Sequence, residues 1–237
     1  MEIFRFKKFS VAQDLTAMKV GTDGVLLGAW VEMQPDIKNI LDIGTGTGVI
    51  ALMLAQKFEL AKIDAIEIEE NAFLQASQNI FSSPWKNRIT VNHVSLEDHI
   101  NQAHKKYDLL VCNPPYFYNN WKVPEAKREM ARDAKYFPHE LLLAAANQLL
   151  AYEGSLNIIL PVAEGRSLLN KLESSGLFCK RLTSVSTKAG KPAKRLLIEI
   201  VKEACERMEG VLNIENAGIN NFSEEYKALT RDYYLHF

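Results

Sequence analysis

Ile37-Lys38-Asn39-Ile40-Leu41-Asp42-Ile43-Gly44-Thr45-Gly46-Thr47-Gly48-Val49-Ile50-Ala51-Leu52-Met53-Leu54 decides the fold. An apolar, β-branched run ends in three alternating glycines, and an apolar helix-forming run through Phe58 follows at once. That order predicts a buried strand over 37–43, a tight turn, and a helix over 49–58. The same alternation continues outward. Residues 61–68 read as a second strand and 69–81 as a helix, 89–94 as a third strand and 107–112 as a fourth. A helix is expected over 138–151 and another over 163–174, with further strands over 155–160, 178–187 and 195–201. Strand–helix alternation predicts an α/β architecture, a mostly parallel seven-stranded sheet with helices on both faces. The connection Ala189–Ala193 is too short for a crossover helix, so the last strand pair is expected to be antiparallel. Residues 1–36 and 116–137 stand outside the pattern, and the latter leaves the carboxyl end of the fourth strand, where ligands of such sheets sit.

The glycine loop carries the first chemistry. Gly44, Gly46 and Gly48 let the backbone turn sharply and let a ligand come close. A dinucleotide site would space them G-x-G-x-x-G, but here Val49 stands where the third glycine would fall. Asp42 repels phosphate and favours a cation. Together these point away from a nicotinamide dinucleotide and toward S-adenosylmethionine, with its sulfonium and amino groups. Glu67, 19 residues past Gly48, ends the second strand, where a carboxylate can accept two ribose hydroxyls. After the third strand, Leu96 is expected to wall an adenine ring, and Ser95 or Asp98 to meet its amino edge.

Asn113-Pro114-Pro115-Tyr116 follows the fourth strand, 65 residues beyond Gly48. An exocyclic amine on a planar ring is a poor nucleophile because its lone pair is delocalised. The Asn113 amide oxygen and the Pro114 carbonyl can each accept one N–H and turn that lone pair toward a methyl donor. Consecutive prolines hold both acceptors rigidly, and Tyr116 can stack on the planar substrate.

In this combination the chain resembles the class I S-adenosylmethionine-dependent amino-methyltransferases, whose fold is Rossmann-like. Its ends resemble one branch more closely. Phe9-x-Val11-x-Gln13, Met18–Gly28, Arg128-x-x-Ala131-Arg132, Lys194-Arg195-Leu196 and the stretches Phe222–Tyr226 and Leu229–Leu235 are similar to the bacterial tRNA1(Val) adenine-N6 methyltransferase family. The resemblance covers nearly the whole chain. It implies methylation of the adenosine immediately 3′ of the anticodon of a valine tRNA. It also implies a cofactor-covering segment over 1–36 on a catalytic core over 37–237, with Lys19, Thr22 and Asp23 at the methionine end of the cofactor. Thr22 or Asp23 also suits the N-cap of a helix over 24–30.

Charge placement agrees with an RNA partner. Between Lys180 and Lys202 lie seven basic residues and one acid, Glu199. Lys188, Lys191, Lys194 and Arg195, with Arg128 and Arg132 of the aromatic loop, are expected to track phosphates. Two other readings use the same motifs: a protein glutamine methyltransferase, and an RNA-binding protein that keeps the fold without catalysis. The 237 residues carry 28 basic and 29 acidic side chains, which excludes a polycationic nucleic-acid packer. Three scattered cysteines supply neither a disulfide framework nor a zinc cage, and five histidines show no metal-ligand spacing, so no metal is expected. No apolar stretch is long enough to span a bilayer. A reduced, cytoplasmic setting and a monomer are the expectations.

Overall fold

The computed structural model describes residues 2–102, 105–114, 138–216 and 221–236. A small antiparallel hairpin, β1 (Ile3–Arg5) with β2 (Ser10–Ala12), precedes helix α1 (Thr22–Trp30). Then come β3 (Asn39–Ile43), α2 (Val49–Lys57), β4 (Lys62–Glu67), α3 (Glu70–Phe81), β5 (Ile89–His93), α4 (Leu96–Gln102) and β6 (Tyr107–Cys112). The second half holds α5 (His139–Leu149), β7 (Leu150–Pro161), α6 (Val162–Leu172), β8 (Phe178–Lys188), β9 (Arg195–Val201), β10 (Met208–Glu215) and α7 (Glu224–Thr230).

The main sheet runs β10-β8-β9-β7-β6-β3-β4-β5. All neighbouring pairs are parallel except those made by β9, which is antiparallel to both β7 and β8. The class I methyltransferase arrangement and the antiparallel β8–β9 pair stand as expected. The strand count does not: the sheet has eight strands, and β10 lies parallel on β8 at the edge. Met208, Glu209, Gly210 and Val211 are all exposed, so this edge strand shows no alternating apolar signal.

Side-chain alternation splits the interior into two apolar layers. Ile40, Leu109, Val111, Ile159 and Leu197 face a cluster shared with α1, α2 and the hairpin. Leu41, Ile43, Leu110, Ile158 and Ile198 face α5 and α6 on the other side. Helix α2 is apolar all round because it is sandwiched between the sheet and α1, with Val49 through Ala55 all buried. Gly28 permits that sandwich, since a Cβ there would stand 2.9 Å from Met53 Sδ and 3.2 Å from Met53 Cβ.

The two ends of the sequence meet on this layer. The Lys7 backbone N–H donates to the Tyr233 carbonyl at 2.8 Å, and Phe6 stacks on Phe9 and on Tyr234. Behind the hairpin, Asn79 of α3 donates to the carbonyls of both Ala12 and Thr47 at 2.8 Å while its oxygen accepts the Ala12 N–H. One buried amide therefore joins the amino-proximal segment to the glycine loop. Gln75, one turn earlier, accepts the Leu15 N–H.

Candidate active site

The last residues of β3 and β6, Ile43 and Cys112, are paired neighbours, and Ile43 pairs with Ile66 of β4 on its other side. Strand order reverses between β3 and β6, which opens a crevice at their carboxyl ends. Gly44, Glu67 and Asn113 are thus the first residues past three adjacent strands, or the last residue in the case of Glu67.

The glycine loop is held open by its backbone. Gly44, Gly46 and Gly48 have φ of +68°, +57° and +82°, a left-handed conformation that disfavours other residues. A Cβ on Gly44 or Gly46 would touch nothing within 4 Å, so the loop presents bare backbone to the crevice. The Gly44 and Thr45 N–H groups donate to the Ile66 carbonyl, and Gly48 caps α2.

Two carboxylates organise this loop. Asp42 is fully buried on the α2 face of β3. Its Oδ2 accepts the Thr45 hydroxyl at 2.6 Å and the Ala51 N–H at 3.1 Å, while Oδ1 has no partner among the described residues. Burial pushes its carboxyl up to about 7, against the two hydrogen bonds and with help from the charge of Glu67. Glu67 is also buried. Its Oε2 accepts the Gly46 N–H at 2.9 Å, and Oε1 accepts the Ile68 and Glu69 N–H groups at 2.9 and 3.0 Å. Oε2 therefore keeps a lone pair for a further donor. A cradle of bare backbone with the Glu67 carboxylate at its edge, and among the described residues no cationic side chain bonded to it, fits a cationic nucleoside better than a pyrophosphate.

Asn113 leaves β6 beside this loop. Its side-chain oxygen is buried and has no hydrogen-bond partner among the described residues, a costly condition unless a ligand donor is meant to fill it. Its amide nitrogen lies 3.8 Å from the place of a Cβ on Gly24, so the first turn of α1 closes on it. Pro114 is buried next to it. Cys112 is wholly buried and its thiol is pushed well above the ordinary range by burial, which makes it a packing residue.

The remaining residues singled out in the sequence divide into separate groups. Thr22 opens α1, but the N-cap is Gly21, which makes no side-chain cap bond, so the expected capping role of Thr22 or Asp23 does not hold. Asp23 sits in the first turn, favourable toward the helix dipole, and pairs with Arg195 at 2.7 Å. The Lys19 ammonium contacts the Glu2 carboxylate. Ser95 caps α4, donating to Asp98 Oδ2 at 2.7 Å and accepting the Asp98 N–H at 3.0 Å. Leu96 is buried in the layer beneath α5. Tyr116, Arg128 and Arg132 lie outside the described residues.

The basic run from 180 to 202 does not form one patch. Lys180 and Arg181 converge on the buried Glu199, and Lys202 donates to the Asn147 and Leu150 carbonyls. These lie at the far end of the β8–β9 pair, roughly 25 Å by strand rise from Lys188. At the crevice end, Lys188 pairs with Glu215 and Arg195 with Asp23, while Lys191 and Lys194 are exposed on the β8–β9 turn. Among the described residues no cluster of three or more potential metal ligands occurs, and no helix is long and apolar enough to cross a membrane.

Asn79 and Gln75 went unnoticed in the sequence. Two polar residues four apart on the buried face of α3 are the signal that would have found them.

Comparison with known proteins narrows the reading. Residues 20–172 match the methyltransferase small domain family. The chain is 42% identical to the tRNA1(Val) (adenine(37)-N6)-methyltransferase of Christiangramia forsetii, over 98% of this chain and 97% of that protein. It is 44% identical to the protein of the same name from Parabacteroides distasonis, again over 98% and 97%. Among solved structures, a protein from Agrobacterium tumefaciens described as a "predicted O-methyltransferase" superposes with a TM-score of 0.70 at 17% identity, covering 89% of this chain and 96% of that one. The ribosomal protein L11 methylase of Lactobacillus delbrueckii gives 0.52 at 15% identity, over 76% and 77%, and both likenesses speak to the fold alone. With near-complete coverage at that level of identity, the chain belongs to the tRNA1(Val) (adenine(37)-N6)-methyltransferase family.

Proposed function

We propose that this chain transfers a methyl group from S-adenosylmethionine to the exocyclic N6 of the adenosine 3′ to the anticodon in a valine tRNA. The observation that carries the reading is the Asn113 side-chain oxygen, buried and without a partner among the described residues at the carboxyl end of β6, one strand from the glycine loop. The names of the full-length relatives supply the substrate.

S-adenosylmethionine, when bound, supplies an electrophilic methyl on a sulfonium; the Gly44–Gly48 backbone, Asp42 and Glu67 would hold it. The Asn113 Oδ1 and the Pro114 carbonyl each accept one N–H of the amine. That pairing turns the nitrogen lone pair out of conjugation and meets the positive charge that grows on N6 as it gains the methyl; one of the two N–H protons then leaves to solvent, restoring a neutral amine. Both acceptors are fixed before the reaction, so little reorganisation is needed. Tyr116 stacks on the base. Lys188, Lys191 and Lys194, with Arg128 and Arg132, follow the phosphates of the loop. The target base must leave its stack to reach Asn113. Lys19, Thr22, Asp23, Ser95 and Leu96 complete the cofactor's surroundings, Asp23 through its pairing with Arg195.

The test is methyl transfer from labelled cofactor to bulk tRNA lacking the modification, followed by nucleoside analysis. N6-methyladenosine in a valine tRNA is expected. Label in protein would transfer the reading to glutamine methylation. Tight RNA binding without transfer would leave a non-catalytic binder.

A further inference from the structure

The described residues enclose a second cleft, apart from the crevice of Asn113. It has a volume of about 590 Å³ and lies between the amino-terminal hairpin, the end of β10 and helix α7. Its wall is aromatic: half-buried Phe4, Phe222 and Tyr234, backed by the buried Tyr226. The rings form a chain, with Phe222 stacked on Tyr226 at 5.4 Å, and Tyr234 tilted at 6.4 Å from Tyr226 and 6.3 Å from Phe4. The rim is polar, with Thr22, Thr187, His236, the exposed Arg5, and Glu215, whose carboxylate is paired with Lys188.

Position gives this cleft its meaning. Thr187 and Glu215 mark the carboxyl ends of β8 and β10, the same end of the sheet at which β3 and β6 open the active crevice. Thr22 lines the cleft, and two residues later on α1 a Cβ placed on Gly24 would stand 3.8 Å from the Asn113 amide nitrogen. Residues two apart point to opposite sides of a helix, so the cleft and the amide that holds the target amine flank the first turn of α1 from opposite faces, about 10 Å apart. The Asp23–Arg195 pair pins that turn to the start of β9, next to Lys194 and Lys191. An aromatic wall with a polar rim, beside lysines and within one turn of a site for a splayed base, matches the chemistry of single-stranded RNA.

We propose that this cleft stacks an unpaired nucleobase of the RNA substrate, from a nucleotide flanking the methylated adenosine. The proposal rests on the functional reading above. Holding a neighbour apart from the target base would keep the strand splayed while Asn113 engages the amine.

The experiment measures affinity for an unmodified anticodon stem-loop and for a series of the same RNA made abasic at one loop position at a time. It uses the full chain and a Thr187→Trp variant, which fills the cleft from its exposed wall. Phe222→Leu serves as a second variant that thins the aromatic wall. In wild type, one position other than the target adenosine should weaken binding about 5- to 150-fold when made abasic. In Thr187→Trp, the intact RNA should bind as weakly as that abasic RNA, and the same abasic change should cost less than about 2-fold. Equal losses in both proteins at every position overturn the proposal. So does normal RNA binding by Thr187→Trp together with a changed mass in light scattering, which would assign the cleft to a second copy of the chain. Binding is read without turnover. Absence of methylation therefore counts against the functional reading, and the abasic comparison alone decides the cleft.

Discussion

Replacing Asn113 by alanine should move stability and activity in opposite directions. The side-chain oxygen is buried without a partner among the described residues. Such an acceptor costs ~1–3 kcal/mol in the folded state. Alanine removes it, while the packing lost from a half-buried amide offsets about 1 kcal/mol. The net change is a gain of roughly 0–2 kcal/mol, and each kcal/mol corresponds to about 2–4 °C in a chain of this size. Activity should fall about 10²- to 10³-fold, the usual cost of deleting one preorganised group from a transition state. RNA affinity should barely change, because phosphate contacts dominate it. The assay pairs calorimetric melting with initial rates of methyl transfer at saturating RNA. A loss of stability beyond about 2 kcal/mol would mean that the protein itself satisfies the amide. A rate within tenfold of wild type would remove Asn113 from the chemistry. Either result refutes the reasoning.

Three other outcomes are expected. Folded Asp42 keeps its proton to about pH 7 while the unfolded chain releases it near its ordinary 3.8, so the native state binds more protons between those values. Stability therefore falls as pH rises through that window, by at most about 4 kcal/mol, and Asp42→Asn should flatten the slope in urea melts at pH 5 and 8. An unchanged slope would show that Asp42 ionises normally. Gly28→Ala should cost about 1–3 kcal/mol, because the new methyl meets Met53 at 2.9 Å; a neutral result would show that α1 can lift from α2 freely. Lys191→Ala with Lys194→Ala should reduce the salt slope of RNA binding by about 1.5. Arg195→Ala should change that slope much less, since its charge is committed to Asp23; equal effects would refute that distinction.

Much of the fold was written in residues 37–201 because the central strands β3, β6, β7 and β9 are largely apolar on both sides and helices α2, α3, α5 and α6 each bury a face. β6 and β9 begin and end where the sequence placed them. Elements without such a signal stayed hidden. Helix α4, LEDHINQ, buries only Leu96, and the hairpin strands have three residues each. Strand β10 has an exposed first half and borrows its register from β8. The candidate site was legible where backbone geometry dictates residue type, at Gly44, Gly46 and Gly48, and where a strand must stop, at Asn113 and Pro114. Charge was less legible. Sequence proximity joined Lys180 to Lys194, but an eleven-residue strand separates the two ends and Glu199 claims the first group. Asp42 was read as facing the ligand, yet one of its oxygens is spent on Thr45 and Ala51.

The contact between Lys7 and Tyr233 orders events during synthesis. Residues near the amino terminus leave the ribosome first, but the carbonyl and the ring they dock on come 226 and 228 positions later. Closing so long a loop is entropically expensive and slow relative to local contacts. The tie through Asn79 joins the hairpin to α3 and the glycine loop early, whereas its contact with the segment after α7 forms only when that segment emerges. A nascent chain stalled after β9 would hold seven of the eight strands of the main sheet while the hairpin still lacked that docking surface.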